Sequence, residues 1–432
     1  MKSTAIAGVK VLNVERTNLI IKFRMIRHSI YLVFNGALKP GRFFSYLRRL
    51  LIFLSKMKGN KYIKVSNGTK INLYVPAFPT KAFFHATHKM LEFEKKMPAI
   101  TALVSITSAC RYDCEHCYQK RDKGKDVNLN QLKDAVRYFQ DNGVAFFNLE
   151  GGEPFLVYPR LKALCETIDE RSEILINSTG DGITFERIIE LKESCNLLGV
   201  MFSLHTDDPE RLNQFMKSDQ AWSNLVNGIG YCHKAGVSVM FNACLPRDAF
   251  YNGGFDKVMR RAKELGGSLI QLIKPKSAGG WLLEGADHFS PEDLEYIKHR
   301  VIEYNTLHAY KSYPFIAAMI IDEDADHFGC TAGGTDRFYL NAKGDIQACE
   351  FLNISFGNIT EEPVEKIYSR MRESFEKPGC NWLCEAYHAK IVDQFQHLGQ
   401  PVLPLAPEVT QKIMNTVDHG EEPDFYNKVK QI

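Results

Sequence analysis

Residues 101–118 read TALVSITSACRYDCEHCY. TALVSIT, residues 101–107, is a β-rich apolar run of strand length, and Cys110, Cys114 and Cys117 follow it in the spacing CxxxCxxC. Zinc sites usually pair cysteines at two-to-four-residue spacings with four ligands, and bacterial ferredoxins use CxxCxxCxxxC, so this pattern is neither. Three thiolates on one tight loop suit three irons of a four-iron, four-sulfur cluster and leave the fourth iron open to a substrate.

Outward from this stretch the chain alternates apolar β-rich runs with helical patterns. Strands are expected at 101–107, 144–149, 173–177, 198–204, 237–243 and 268–274, with helices between them, for example 129–142, 184–195 and 255–265. Six such units imply parallel strands with right-handed crossovers, hence an α/β fold, and chemistry in the loops at the C-terminal strand ends. At the end of the second strand stand Gly151, Gly152, Glu153 and Pro154. Paired glycines let backbone approach a ligand, and the carboxylate beside them is placed to receive an ammonium group.

On CxxxCxxC, on Gly151 to Pro154 and on the six β/α units, residues 100–385 resemble the radical SAM superfamily. The resemblance implies a partial (β/α)6 TIM-like barrel in which Cys110, Cys114 and Cys117 bind a 4Fe-4S cluster. It implies that S-adenosylmethionine (SAM) chelates the open iron through its amine and carboxylate, with Gly151, Gly152, Glu153 and Pro154 at the amino group. One electron then cleaves the sulfonium, giving methionine and a 5′-deoxyadenosyl radical that abstracts hydrogen from the substrate. Strand-end residues Asn177, Ser178, Ser203, His205 and Asn242 are expected at the nucleotide's ribose and carboxylate. The aromatic position before the third cysteine is His116 here, with Tyr118 after it as a further cofactor contact.

Farther on, Cys330 is followed by thirteen residues, Gly344, four residues and Cys349, and then by Cys380 and Cys384. The stretch from Phe338 to Cys349 reads as a hairpin whose second strand delivers a thiol. This is similar to the shorter, single-cluster form of the SPASM or twitch extension, and the resemblance implies an auxiliary 4Fe-4S cluster on Cys330, Cys349, Cys380 and Cys384. A zinc hairpin is the alternative. Cys165, Cys195, Cys232 and Cys244 then remain as small apolar residues. Cluster assembly and a low-potential donor such as flavodoxin or ferredoxin call for a reducing compartment, hence a cytoplasmic location.

Charge divides the chain. Residues 16–91 hold 15 Lys plus Arg and no Asp or Glu, whereas residues 92–432 carry a net −13, so the overall +3 joins a basic module to an acidic body. Leu19, Phe23, Ile26, Ile30 and Phe34 recur at helical spacing, as do Phe43, Leu47, Leu50, Leu54 and Met57, with cations off both stripes. Two basic amphipathic helices broken at Lys39-Pro40-Gly41 suit an anionic membrane surface, reached through residues 16–60 from the inner face; packing on the body is the competing use. No nucleic acid is expected, because Phe43, Phe44 and Tyr46 lie too near the apolar stripe to interleave with the cations. The longest apolar run, Phe315 to Ile321, is far short of a span, and no signal peptide is legible in the first fifteen residues.

The expected organisation is a basic helical segment (1–60), a β-hairpin adaptor (61–98) centred on Asn67-Gly68, the barrel core (99–315), the auxiliary-cluster extension (316–390) and a helical tail (391–432). The function expected is SAM-dependent hydrogen abstraction from a membrane-proximal or lipid-like substrate. Peptide maturation is the first alternative, and a non-catalytic iron–sulfur or zinc protein docking on an anionic surface the second.

Overall fold

The computed structural model describes residues 9–91, 99–122, 124–398, 402–414 and 416–432. The first eight residues of the basic segment, residues 92–98 of the adaptor and Pro401 of the tail lie outside the described residues.

The six expected strands form within two residues of the expected bounds. They are β3 (Thr101–Ser105), β4 (Phe146–Glu150), β5 (Glu173–Ser178), β6 (Leu197–Ser203), β7 (Ser238–Cys244) and β8 (Leu269–Ile273), preceded by the hairpin strands β1 (Ile63–Val65) and β2 (Gly68–Lys70). β3 to β8 lie side by side in chain order and all parallel. Both faces of these strands are covered, which is why they read as continuous apolar runs. Helix Leu129–Asp141 shows how the crossovers are written: Leu132, Ala135, Val136 and Phe139 form its buried stripe, and Asn128 caps its first turn through the Asn130 N–H.

Three strands extend the sheet beyond the expected six. β9 (Phe315–Ala318) adds parallel to β8, and β10 (Arg337–Leu340) adds parallel to β3, with β11 (Ile346–Gln347) antiparallel outside it. β9 and β11 are the two edges, so the sheet curls without closing. The cysteine-bearing hairpin is thus part of the barrel sheet, and the boundary expected between 315 and 316 falls inside β9.

The hairpin β1–β2 is a plug instead of an adaptor. Val65 pairs with Gly68, so the turn is Ser66-Asn67, one residue earlier than expected. Ile63, Val65 and Leu73 pack with Phe146, Leu175, Met240 and Leu269, which stand near the N-terminal ends of their strands. Chemistry is thereby confined to the opposite mouth and to the open side of the sheet.

The basic segment folds as two helices, α1 (Val14–Phe34) and α2 (Phe43–Lys56). α2 buries Tyr46, Leu50 and Leu54 against the body, and the helix Asp424–Lys430 backs it through Lys56 Nζ to Asp424 Oδ2 at 2.5 Å. α1 buries Ile21, Met25 and Leu32, and its expected stripe of Leu19, Phe23, Ile26, Ile30 and Phe34 faces outward. Among the described residues no helix is long and apolar enough to cross a membrane.

Candidate functional site

The loop after β3 is anchored before it reaches its cysteines. Asp126 accepts hydrogen bonds from Thr107 Oγ1 (2.6 Å), Ser108 N (2.9 Å) and Ser108 Oγ (3.0 Å). Gly151 and Gly152 then lie against the loop: a β-carbon on Gly151, at φ +146°, would stand 2.5 Å from Thr107 O, and one on Gly152 would stand 2.2 Å from Ala109 O. Gly152 N and Glu153 N donate to those carbonyls at 2.8 Å. The glycine pair is therefore required by close approach to the cysteine loop as well as by the cavity it lines. Gly279 and Gly280 after β8 press on the other side, with Gly280 N donating to Cys117 O at 2.9 Å.

Held this way, Cys110, Cys114 and Cys117 line one cavity at the C-terminal mouth, together with Gly152, Thr179, Ser203 and His205. All three are free thiols. Burial first, and the neighbouring thiols and carboxylates next, push Cys110 up to about 11 and Cys114 up to about 12. Thiolates so crowded persist at neutral pH only against a cationic centre, which is the donor chemistry a cluster requires. Among the described residues no three His, Cys, Asp or Glu side chains are set to grip a single metal ion.

Next to the thiols a polar cavity opens over the strand ends. Asn177, Ser178, Ser203, His205 and Asn242 all line it, as do Tyr118, Gly151 and Gly152. Four buried polar atoms in its wall have no hydrogen-bond partner: Asn148 Oδ1, Glu150 Oε1, Asn177 Oδ1 and His116 Nδ1. Each unmet group of this kind costs about 1–3 kcal/mol, so the cavity suits a small ligand with several polar atoms, as SAM has. Asn177 Nδ2 donates to Glu150 Oε2 at 3.0 Å, and burial, with Glu350 nearby, pushes the Glu150 carboxyl up to about 8. His205 accepts the Cys244 N–H on Nδ1 at 3.1 Å, which leaves the proton on Nε2; burial holds both His205 and His116 well below the usual imidazole range, and they are neutral at pH 7. His116 stacks on Phe215 with centroids 4.5 Å apart.

Sequence expectations change here at Glu153, Pro154 and Cys244. The Glu153 carboxylate is fully buried and already engaged: Oε1 accepts from Phe155 N (3.1 Å) and Ser178 Oγ (2.8 Å), and Oε2 from Thr179 N (2.7 Å) and Thr179 Oγ1 (2.6 Å). It clamps the β4 and β5 loops together, and Pro154 is buried as the first residue of a short 3-10 turn; the cavity is lined by the glycines of this segment. Lys276 lines the polar cavity, whereas Lys274, two residues before it, pairs with Glu385 at 2.7 Å outside it. Cys244 lines the cavity instead of filling core.

The second thiol cluster sits close by. Cys330 and Cys349 are buried, and Cys384 is near enough to raise the pKa of both, behind burial itself. Arg337, paired in the interior with Glu323, directs Nη2 at Cys349 Sγ (3.8 Å), and Cys349 Sγ donates to Glu350 Oε2 at 3.0 Å. Lys276 contacts Cys384 and lies 3.5 Å over the Trp382 ring. Cys380 departs from this group. Cys330 pairs antiparallel with Gly379, so Cys380, one residue on, projects to the opposite face. Its charged neighbours are Glu421, Asp324 and Asp326. Glu323 is buried beside its arginine. Glu350 and Lys276 connect the two regions, since both line the polar cavity and both meet the second set of thiols.

Known proteins resemble this arrangement. Residues 104–248 match the model of the radical SAM superfamily. An AdoMet-dependent heme synthase of Nitratidesulfovibrio vulgaris is 22% identical over 298 residues, 63% of this chain and 79% of that protein. A probable GTP 3′,8-cyclase of Archaeoglobus fulgidus is 26% identical over 151 residues, 34% of this chain, which spans only half of the cyclase. Among solved structures, Streptococcus suis SuiB bound to its precursor peptide SuiA aligns with a TM-score of 0.52 and 16% identity over 66% of this chain and 69% of that one, a likeness of fold.

Proposed function

We propose, from the premise that this chain is a radical SAM enzyme, that Cys110, Cys114 and Cys117 hold the 4Fe-4S cluster and that SAM occupies the polar cavity beside them. When bound, these groups supply one-electron cleavage of SAM and hydrogen abstraction from a substrate. The observation that carries the assignment is the three thiols at one wall of a cavity whose strand-end wall holds unpartnered polar atoms. In this reading Gly151 and Gly152 offer backbone to the amino group, and Asn177, Ser178, Ser203, His205 and Asn242 orient the rest of the molecule. Glu153 keeps the loops in register. Cys330, Cys349 and Cys384 hold the auxiliary cluster, with Cys380 outside the ligand set, and a low-potential donor such as flavodoxin or ferredoxin delivers the electron.

Anaerobic reconstitution tests this. About seven to eight irons are expected per chain, with 5′-deoxyadenosine formed on reduction with SAM. Ala at Cys110, Cys114 or Cys117 removes about four irons and all cleavage. Cys384→Ala removes the other set, and Cys380→Ala keeps both. Bound zinc, or intact clusters without SAM cleavage, defeats the proposal.

The substrate reading is membrane-proximal. Leu19, Phe23 and Phe34 are 69, 66 and 86% exposed on α1, flanked by exposed Arg16, Lys22, Arg24 and Arg27. An apolar stripe of this size between cations supports the reading of α1 as an interfacial helix. Flotation with anionic vesicles should recover the wild type, and Phe23→Glu with Phe34→Glu should remove most of that recovery. Equal recovery on neutral vesicles removes the part played by the cations, and no recovery on either overturns the reading.

A further inference from the structure

A second cavity lies behind the basic helices, on the open side of the sheet. Its outer part is walled by Met25, Leu50, Phe53, Met57, Met90 and Phe328. Its inner end is polar, formed by Asn72, Tyr74, Gln271, Asp322 and Arg337. Tyr74 and Gln271 also line the polar cavity over the strand ends, and Gln271 Nε2 donates to Tyr74 Oη at 2.8 Å. One hydrogen-bonded pair of side chains therefore forms part of the wall of both spaces.

Three features mark this as a binding site and not a packing fault. Four of the chain's 12 methionines, Met25, Met57, Met90 and Met319, stand in its wall, and unbranched thioethers repack around an incoming chain at little cost. Arg337 is 4% exposed, yet its Nε has no hydrogen-bond partner, so the polar end retains an unmet donor. The lid over the apolar part is α1 and α2, the pair whose outer surface carries the exposed apolar stripe and its cations.

We infer that this cavity takes the single hydrocarbon chain of a membrane-derived amphiphile, which enters beneath α1 and α2 with its polar group leading. The polar group then lies near Arg337 and Asn72, and the adjoining carbons lie against the Tyr74–Gln271 partition, facing the space assigned to SAM. A peptide fits this wall less well, because a lining that is mostly carbon, with Thr87 and Lys89 as exceptions beside Met90, offers too few partners for a backbone N–H and C=O at every residue. An alkyl chain needs none. The inference rests on the membrane-proximal reading above, and its test separates the two.

The probe is palmitic acid carrying a mid-chain diazirine, added to the full-length chain without vesicles, irradiated and mapped by peptide mass spectrometry. Labels are expected on peptides containing Met25, Leu50, Met57 or Phe328, and a tenfold excess of plain palmitic acid should suppress them. Leu50→Trp, which fills the cavity from a position 3% exposed, should cut labelling at least fivefold while flotation on anionic vesicles stays unchanged. Met25→Phe is the second filling variant, and a melting curve like that of wild type qualifies either one. Labels confined to the outer Leu19–Phe34 stripe, or labelling indifferent to both variants, overturn the inference. Cavity labelling without any flotation upholds the chain site and removes the membrane reading alone; iron content is independent of both.

Discussion

Glu153 has no exposed surface, and its two oxygens accept four hydrogen bonds from Phe155, Ser178 and Thr179. Burial nevertheless pushes its carboxyl from the usual 4.5 up to about 7. Below about pH 4.5 folded and unfolded chains both hold the proton, and its contribution to stability is fully present. As pH rises toward 7 the unfolded chain releases the proton first, so stability falls by up to about 3 kcal/mol and stays lost above that pH. Glu153→Gln keeps the shape and cannot titrate. The melting temperature of the metal-free chain should therefore decline less between pH 5 and pH 8 in the variant than in wild type; identical slopes contradict the assignment. Residues such as Asn177, Ser203 and Asn242 were legible because a parallel strand in a known register delivers its last polar residue to the mouth. Tyr74, Glu350 and Lys276 were not, since they enter the same cavity from three segments whose approach only the tertiary packing decides.

Among the elements, the short hairpin β1–β2 closes the N-terminal end of the barrel. Lys70, fully buried, donates to Glu173 Oε2 at 2.9 Å, lies 4.4 Å over the Phe146 ring and so pins the plug inside the barrel. Lys70→Met leaves a buried glutamate without its cation, and urea unfolding should show a loss of about 3–5 kcal/mol. Adding Glu173→Gln, which still accepts the Ala77 N–H, should recover much of that loss; no recovery would mean the pair is not the fastening. A hairpin was legible at Asn67-Gly68 from turn chemistry, but its destination was not, because alternation specifies a covered face without saying what covers it. β9 escaped notice for a related reason, since four residues are too short for a period to declare itself; β10 was legible as the first strand of the cysteine hairpin, but not its place beside β3.

At the scale of the molecule, the acid-free stretch from 16 to 91 became a lid with two unlike surfaces: α2 turned its stripe inward, and α1 kept its own outside. Periodicity alone gives both helices the same reading, and only the position of the body beneath them distinguishes the two. If cations bring α1 to a membrane, raising salt from 0.1 to 1 M shortens the screening length from about 10 to about 3 Å and should lower vesicle recovery severalfold. A salt-independent recovery would assign the attraction to the apolar stripe alone.

The place of β10 beside β3 sets a clock as well as a shape. Thr101 pairs with Arg337, so one flank of β3 has no neighbour until 236 further residues have been made. At about 5–20 residues per second, the nascent chain carries that open edge for roughly 10–50 seconds. An unpaired strand edge recruits other chains. Slower synthesis, or more crowded ribosomes making this chain, should therefore lower the soluble yield at unchanged stability of the finished fold.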